Sequence, residues 1–152
     1  MPAPALTDVV SVTAGVEFAA VLRTDGSVWT WGSNLNGELG RGLSVPADST
    51  PTVVSNLPFI VEIAAGDRHL LALSADGRVF GWGANDEAQL GDLSGGTRDA
   101  PVEISVPGDT VAIAAGGNFS GALDWEGAVH TWGSQVWPPF GTGARTAPTL
   151  SL

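Results

Sequence analysis

The side chains with the most chemical reach in this 152-residue chain are two histidines, His69 and His130, and a local group of acids, Asp86-Glu87 with Asp92 and Asp99. Two imidazoles at unmatched repeat positions, with no cysteine anywhere, fall short of the nitrogen and sulfur donors that a transition-metal site takes. The acids lack the ligand spacing of a calcium loop, so they read as a solvated acidic loop. No serine sits in a nucleophile-elbow context, and no glycine-rich run is followed by the lysine of a phosphate loop, since the chain has no lysine. Asn118-Phe119-Ser120 has the form of a glycosylation acceptor, but it falls at the start of an expected strand. The sequence therefore predicts no catalytic residue, no metal and no cofactor. Paired carboxylates brought together by the fold are the catalytic arrangement that it leaves open.

The elements that must position these residues come in copies. Ala14-Gly15 recurs as Ala65-Gly66 and Ala115-Gly116, Asp25-Gly26 as Asp76-Gly77 and Glu126-Gly127, and Trp31-Gly32 as Trp82-Gly83 and Trp132-Gly133, at offsets of 51 and then 50. A period of that size marks a repeat architecture in which each unit buries its apolar face by stacking on the next. In the first copy Val10, Val12 and Ala14 alternate with Ser11 and Thr13, the period of a half-buried strand. The run 18–22 reads as a second strand. Asp25-Gly26 supplies a hairpin turn, and Val28-Trp29-Thr30-Trp31 returns as a β-branched and aromatic strand. The third copy has Glu126 in place of the turn aspartate, a weaker signal. Pro51, Pro101 and Pro148 each lead into a further extended segment, where proline costs no ladder bond. Four short strands per unit with glycine-rich turns is a propeller blade. The expected fold is all-β, a single repeat domain over 1–152 with three blades of four antiparallel strands at about 6–55, 56–105 and 106–152.

The strings Asp25-Gly-Ser-Val-Trp-Thr-Trp-Gly-Ser-Asn34 with Gly37-Glu-Leu-Gly40, and Asp76-Gly-Arg-Val-Phe-Gly-Trp-Gly-Ala-Asn85 with Gln89-Leu-Gly91, resemble the regulator of chromosome condensation repeat family. The third copy keeps Val129, Trp132 and Gly133 and then departs. The resemblance implies a β-propeller, in this family usually a closed ring of seven blades, against about three encoded here. It implies protein partners. Nucleotide-exchange members act on a small GTPase through an extra hairpin, which the short loops here do not accommodate, and chromatin-docking members depend on basic surfaces. Bacterial relatives that cover β-lactamase with one ring face show the scaffold as a binding platform.

Sixteen acidic residues against six arginines give a net charge of -10, which repels phosphate backbones and argues against a nucleic-acid partner. The N-terminus lacks the basic and apolar regions of a secretory signal, and no stretch is long enough to span a bilayer. The expectation is a soluble chain with no membrane partner, its compartment undetermined.

Three blades are too few to close a ring, so association is expected, with a dimer making a six-bladed ring favoured. Aligning the repeats assigns Pro148 to Leu152 as the opening strand of a blade that continues near Leu6 of another copy. Leu6, Pro148, Leu150 and Leu152 are the expected self-association residues. Trp31, Trp82 and Trp132 with Gly32, Gly83 and Gly133 are expected to be structural, and His69 and His130 to be packed strand residues. Trp125, Trp137 and Phe140 break the repeat and are the candidate partner-binding aromatics, with capping of the third blade as the competing role. The function expected is a non-enzymatic binding and assembly module. The alternatives are a structural component of a virion or cell surface, and a regulator of a small GTPase.

Overall fold

A computed structural model describes residues 5–134 and 146–151. It contains twelve strands: β1 Val9–Ala14, β2 Phe18–Arg23, β3 Val28–Ser33, β4 Ala47–Val53, β5 Ile60–Ala65, β6 His69–Ser74, β7 Val79–Gly83, β8 Arg98–Ile104, β9 Thr110–Gly116, β10 Phe119–Asp124, β11 Val129–Gly133 and β12 Thr146–Ser151. They form three four-stranded antiparallel sheets, β1-β2-β3-β4, β5-β6-β7-β8 and β9-β10-β11-β12. The fold is all-β, made of propeller blades. β5 packs on β1 and β2, and β9 packs on β5 and β6, so the sheets converge along their first strands and stack in chain order.

The hairpin turns follow from Gly26, Gly77 and Gly127, at φ of 77, 83 and 89°. In the third blade the turn's acidic acceptor has moved: Asp124 Oδ1 takes the amides of Glu126 at 3.0 Å and Ala128 at 2.8 Å. The glycine that follows each repeated tryptophan has a second cause. A Cβ on Gly32, Gly83 or Gly133 would lie 2.4 Å from the carbonyl oxygen of Glu17, Arg68 or Asn118. That approach lets the next amide, of Ser33, Ala84 or Ser134, bond the same carbonyl at 2.7, 2.8 and 2.9 Å.

The proline-led segment takes a different place from the one read in the sequence. β12 pairs with β11 of its own sheet, Val129 opposite Ser151, His130 opposite Leu150 and Thr131 opposite Thr149. It is the closing strand of the third blade, as β4 and β8 are of theirs, and the first blade already has its four strands. The opening-strand assignment of Pro148 to Leu152, and with it the lending of Pro148 and Leu150 to another copy, is therefore incorrect. Repeat spacing fixes the period of a strand pattern but not which strand begins the unit.

Two cores lie between the blades. Phe18, Leu22, Val28, Ile63, Leu70 and Trp82 belong to the first, and Leu71, Leu73, Val79, Ile113, Ala122 and Trp132 to the second. At about 25 cal/mol per Å² of apolar surface removed from water, these two joints are the main source of stability in a chain with no disulfide. Among the described residues no helix is long and apolar enough to cross a membrane.

Candidate interaction surface

Successive strand residues point to opposite faces, so each blade has a leading face toward the blade before it and a trailing face toward the blade after it. The leading face of the second blade carries Ile63, Leu70, Phe80 and Trp82, packed on the first blade. The trailing face carries His69, Leu71, Leu73 and Val79. Each joint is held by repeated polar ties. Trp82 Nε1 donates to Glu38 O at 2.9 Å and Trp132 Nε1 to Gln89 O at 3.0 Å, each indole reaching a loop of the preceding blade. Backbone bonds run the other way along the inner turns, from Val16 N to Asp67 O and from Asp67 N to Gly117 O, both 2.9 Å.

The second joint has an added feature. Ser120 Oγ donates to Gln89 O at 2.8 Å, so its lone pair accepts from His69 Nε2–H, also at 2.8 Å. His69 is fully buried, and burial alone lowers its pKa to about 4, so the ring is neutral. Its Nδ1 is a buried acceptor with no partner among the described residues. In the third blade His130 Nε2–H donates to Asp124 Oδ2 at 2.9 Å. That bond, with the two turn amides, holds the Asp124 carboxyl below its ordinary pKa. Both histidines are therefore held within the sheets. Among the acids read as a loop cluster, Asp92 binds Arg98 Nη2 at 3.0 Å and Asn85 Nδ2 at 2.7 Å.

At the two ends of the stack the same positions face water. Val12 is 71% exposed, against 6% and 7% for its counterparts Ile63 and Ile113. Leu123 is 36% exposed against 2% for Leu22 and 3% for Leu73, and Val129 is 44% exposed against 0% for Val28. Trp31 is half-buried where Trp82 and Trp132 are fully enclosed. The open face of the third blade holds an apolar groove of about 460 Å³ whose walls include Ala112, Ala114, Phe119, Leu123 and Val129. The leading face of the first blade and the trailing face of the third are thus halves of a joint that the chain makes twice internally.

Of the aromatics singled out in the sequence, Trp125 lies in the β10–β11 turn and is 67% exposed, while Trp137 and Phe140 fall outside the described residues. Leu6 is half-buried ahead of β1 and Pro148 half-buried within β12, where Leu150 also lies; Leu152 is outside the described residues. The sequence reading places Leu123, Val129 and Ser120 in strands but does not mark them as members of an open face or a joint. Their signal is a repeat comparison by face, in which Ser120 and His69 are the polar members of apolar rows.

A stack of four-stranded antiparallel sheets with apolar faces left at both ends defines a β-propeller repeat module. Residues 25–73 and 76–123 each match the Regulator of chromosome condensation (RCC1) repeat, and the chain belongs to that family. It is 38% identical over 130 residues to the RCC1 domain-containing protein RUG3, mitochondrial, of Arabidopsis thaliana, covering 83% of this chain and 29% of that protein. It is 34% identical over 134 residues to the Regulator of chromosome condensation of Mus musculus, covering 86% of this chain and 32% of that one. The chain thus spans about a third of these relatives or less. The crystal structure of human WBSCR16 superposes with a TM-score of 0.84 at 27% identity, over 93% of this chain and 37% of the other.

Proposed function

We propose that this chain is a non-catalytic interaction module that self-associates, burying its two open blade faces against another copy and presenting its loops to protein partners. The observation that supports this is the contrast in exposure at equivalent positions, with Val12, Leu123 and Val129 in water where their counterparts are enclosed. Apolar rows of this kind stabilise by leaving water, and the chain already contains the surface that fits each of them. The assembly of two chains into a six-bladed ring is the favoured form, made by stacking of faces rather than by exchange of strands. Sedimentation of the full chain tests it: twice the chain mass is expected. A single-chain mass together with an intact β spectrum would defeat the reading.

A further inference from the structure

The two open faces are not equivalent, and their chemistry sets the polarity of the contact; this inference rests on the self-association reading above. Gly15 and Gly66 lack side chains for a reason visible inside the chain. A Cβ on Gly15 would lie 2.6 Å from Asp67 O, and one on Gly66 would lie 2.6 Å from Gly117 O, each a carbonyl of the following blade. The rings of Phe18 and His69 also lie over these glycines, with Cε1 2.1 Å from the same Cβ positions. Gly116 is the third member of the set. A Cβ there would meet none of the described residues within 4 Å, and its φ is not among the positive ones. Among the described residues neither space nor backbone conformation requires glycine at this position. A carbonyl approaching from a further blade would require it.

The rows of side chains agree. The first blade offers the second Phe18, Ala20, Leu22, Val28 and Thr30, and the third blade's open face repeats this as Phe119, Gly121, Leu123, Val129 and Thr131. On the receiving side, the second blade's Ile63, Leu70, Phe80 and Trp82 correspond to Val12, Ala19, Trp29 and Trp31 on the first blade's open face. Both open faces therefore have the apolar composition of the first joint, not the histidine and serine of the second.

We infer that the trailing face of the third blade of one copy seats on the leading face of the first blade of another, head to tail, in a joint of the first kind. Gly117 N–H then donates to Val16 O of the second copy, continuing the series from Val16 to Asp67 to Gly117, and the ring of Phe119 closes over Gly116. A head-to-tail contact gives a closed ring or a filament according to its rotation, and neither outcome alters its polarity.

The test uses variants of the 152-residue chain blocked on one face each. Gly116→Ala adds a methyl group to the trailing face where no described residue lies within 4 Å, and Val12→Asp places a charge on the leading face at an exposed position. Each is expected to keep the β spectrum and the thermal midpoint of the isolated chain and to sediment as a single chain. Mixed one to one, they are expected to recover a pair, because one intact leading face and one intact trailing face remain. Assembly of either variant alone to the size of the unaltered protein, or a mixture that stays at single-chain mass, overturns the polarity. An unaltered chain that never associates overturns instead the self-association reading on which the polarity rests.

Discussion

The two internal joints share a backbone geometry and differ in chemistry. Both use an indole N–H donated to a loop carbonyl of the preceding blade, from Trp82 to Glu38 and from Trp132 to Gln89. Where the first joint has the ring of Phe18 the second has the ring of His69, bonded to Ser120 in place of Leu70. The repeat therefore specifies how blades approach, and single side chains specify which blade fits which. A polar pair buried in one joint discriminates against mismatched neighbours, because either member left alone would be an unpaired polar group in an apolar setting.

The indoles give the largest expected effect. Trp82 is enclosed between blades whereas Trp31, its counterpart on the open face, is half-buried. Trp82→Ala removes a fully buried side chain and leaves the Glu38 carbonyl without its donor, and should cost about 3–5 kcal/mol, a large part of the stability of a domain of this size. Trp31→Ala in the single chain should cost less than about 1 kcal/mol. Urea unfolding of the two variants at a concentration where the chain is unassociated reads the difference. Equal losses would mean that enclosure by the neighbouring blade is not what makes the indole count.

Acid separates the joints next. His69 has its pKa lowered from 6.5 to about 4 by burial, so between those values the unfolded chain takes up a proton that the folded chain excludes. Stability is full above pH 6.5, falls as the pH drops toward 4, and loses roughly 3 kcal/mol over that window. Asp124, whose pKa is lowered below 3.8 chiefly by its bond to His130, acts in a separate window: its stabilisation is present above the unfolded value and is lost as pH falls through the folded one. His69→Phe, which gives the second joint the ring of the first, should flatten the decline between pH 6.5 and 4 and leave the lower one. Denaturation midpoints against pH measure both. An unchanged slope in His69→Phe would remove the second joint as the source of the acid sensitivity.

The strands, the turns and the family were legible in the sequence because each rests on local chemistry: alternation in 10–14, positive φ at Gly26 and Gly77, and the recurring Trp-Gly pairs. The phase of the blade was not. Whether Thr52 pairs with Thr30 in the strand before it or opens the next sheet depends on hydrogen bonds across the chain, and a cyclic pattern looks the same from any starting strand. The open faces were hidden for a related reason. Leu123 and Val129 carry the same residue types as Leu22 and Val28, so composition ranks them as core, and only the stacking order shows that none of the described blades covers them. The role of His69 as a packed residue was legible from its place opposite Phe18 in the repeat, but its partner Ser120 was not, since the two are 51 residues apart and on different blades.

The smallest expected effect tests whether the polar pair is a unit. Ser120 Oγ serves two groups, accepting from His69 Nε2–H and donating to Gln89 O. Ser120→Ala takes away the acceptor and leaves the imidazole N–H buried and unpaired beside an Nδ1 that already lacks a partner. A loss of about 1–3 kcal/mol is expected. In a His69→Phe background the same substitution removes only the bond to Gln89 O, whose carbonyl keeps Trp132 as a donor, and should cost about 0.5–1.5 kcal/mol. The double-mutant cycle thus predicts a coupling energy of about 1 kcal/mol between two side chains on different blades. Zero coupling would mean that the hydroxyl and the ring are stabilised independently. The second joint would then be an apolar interface with two tolerated polar atoms, and its difference from the first would carry no specificity.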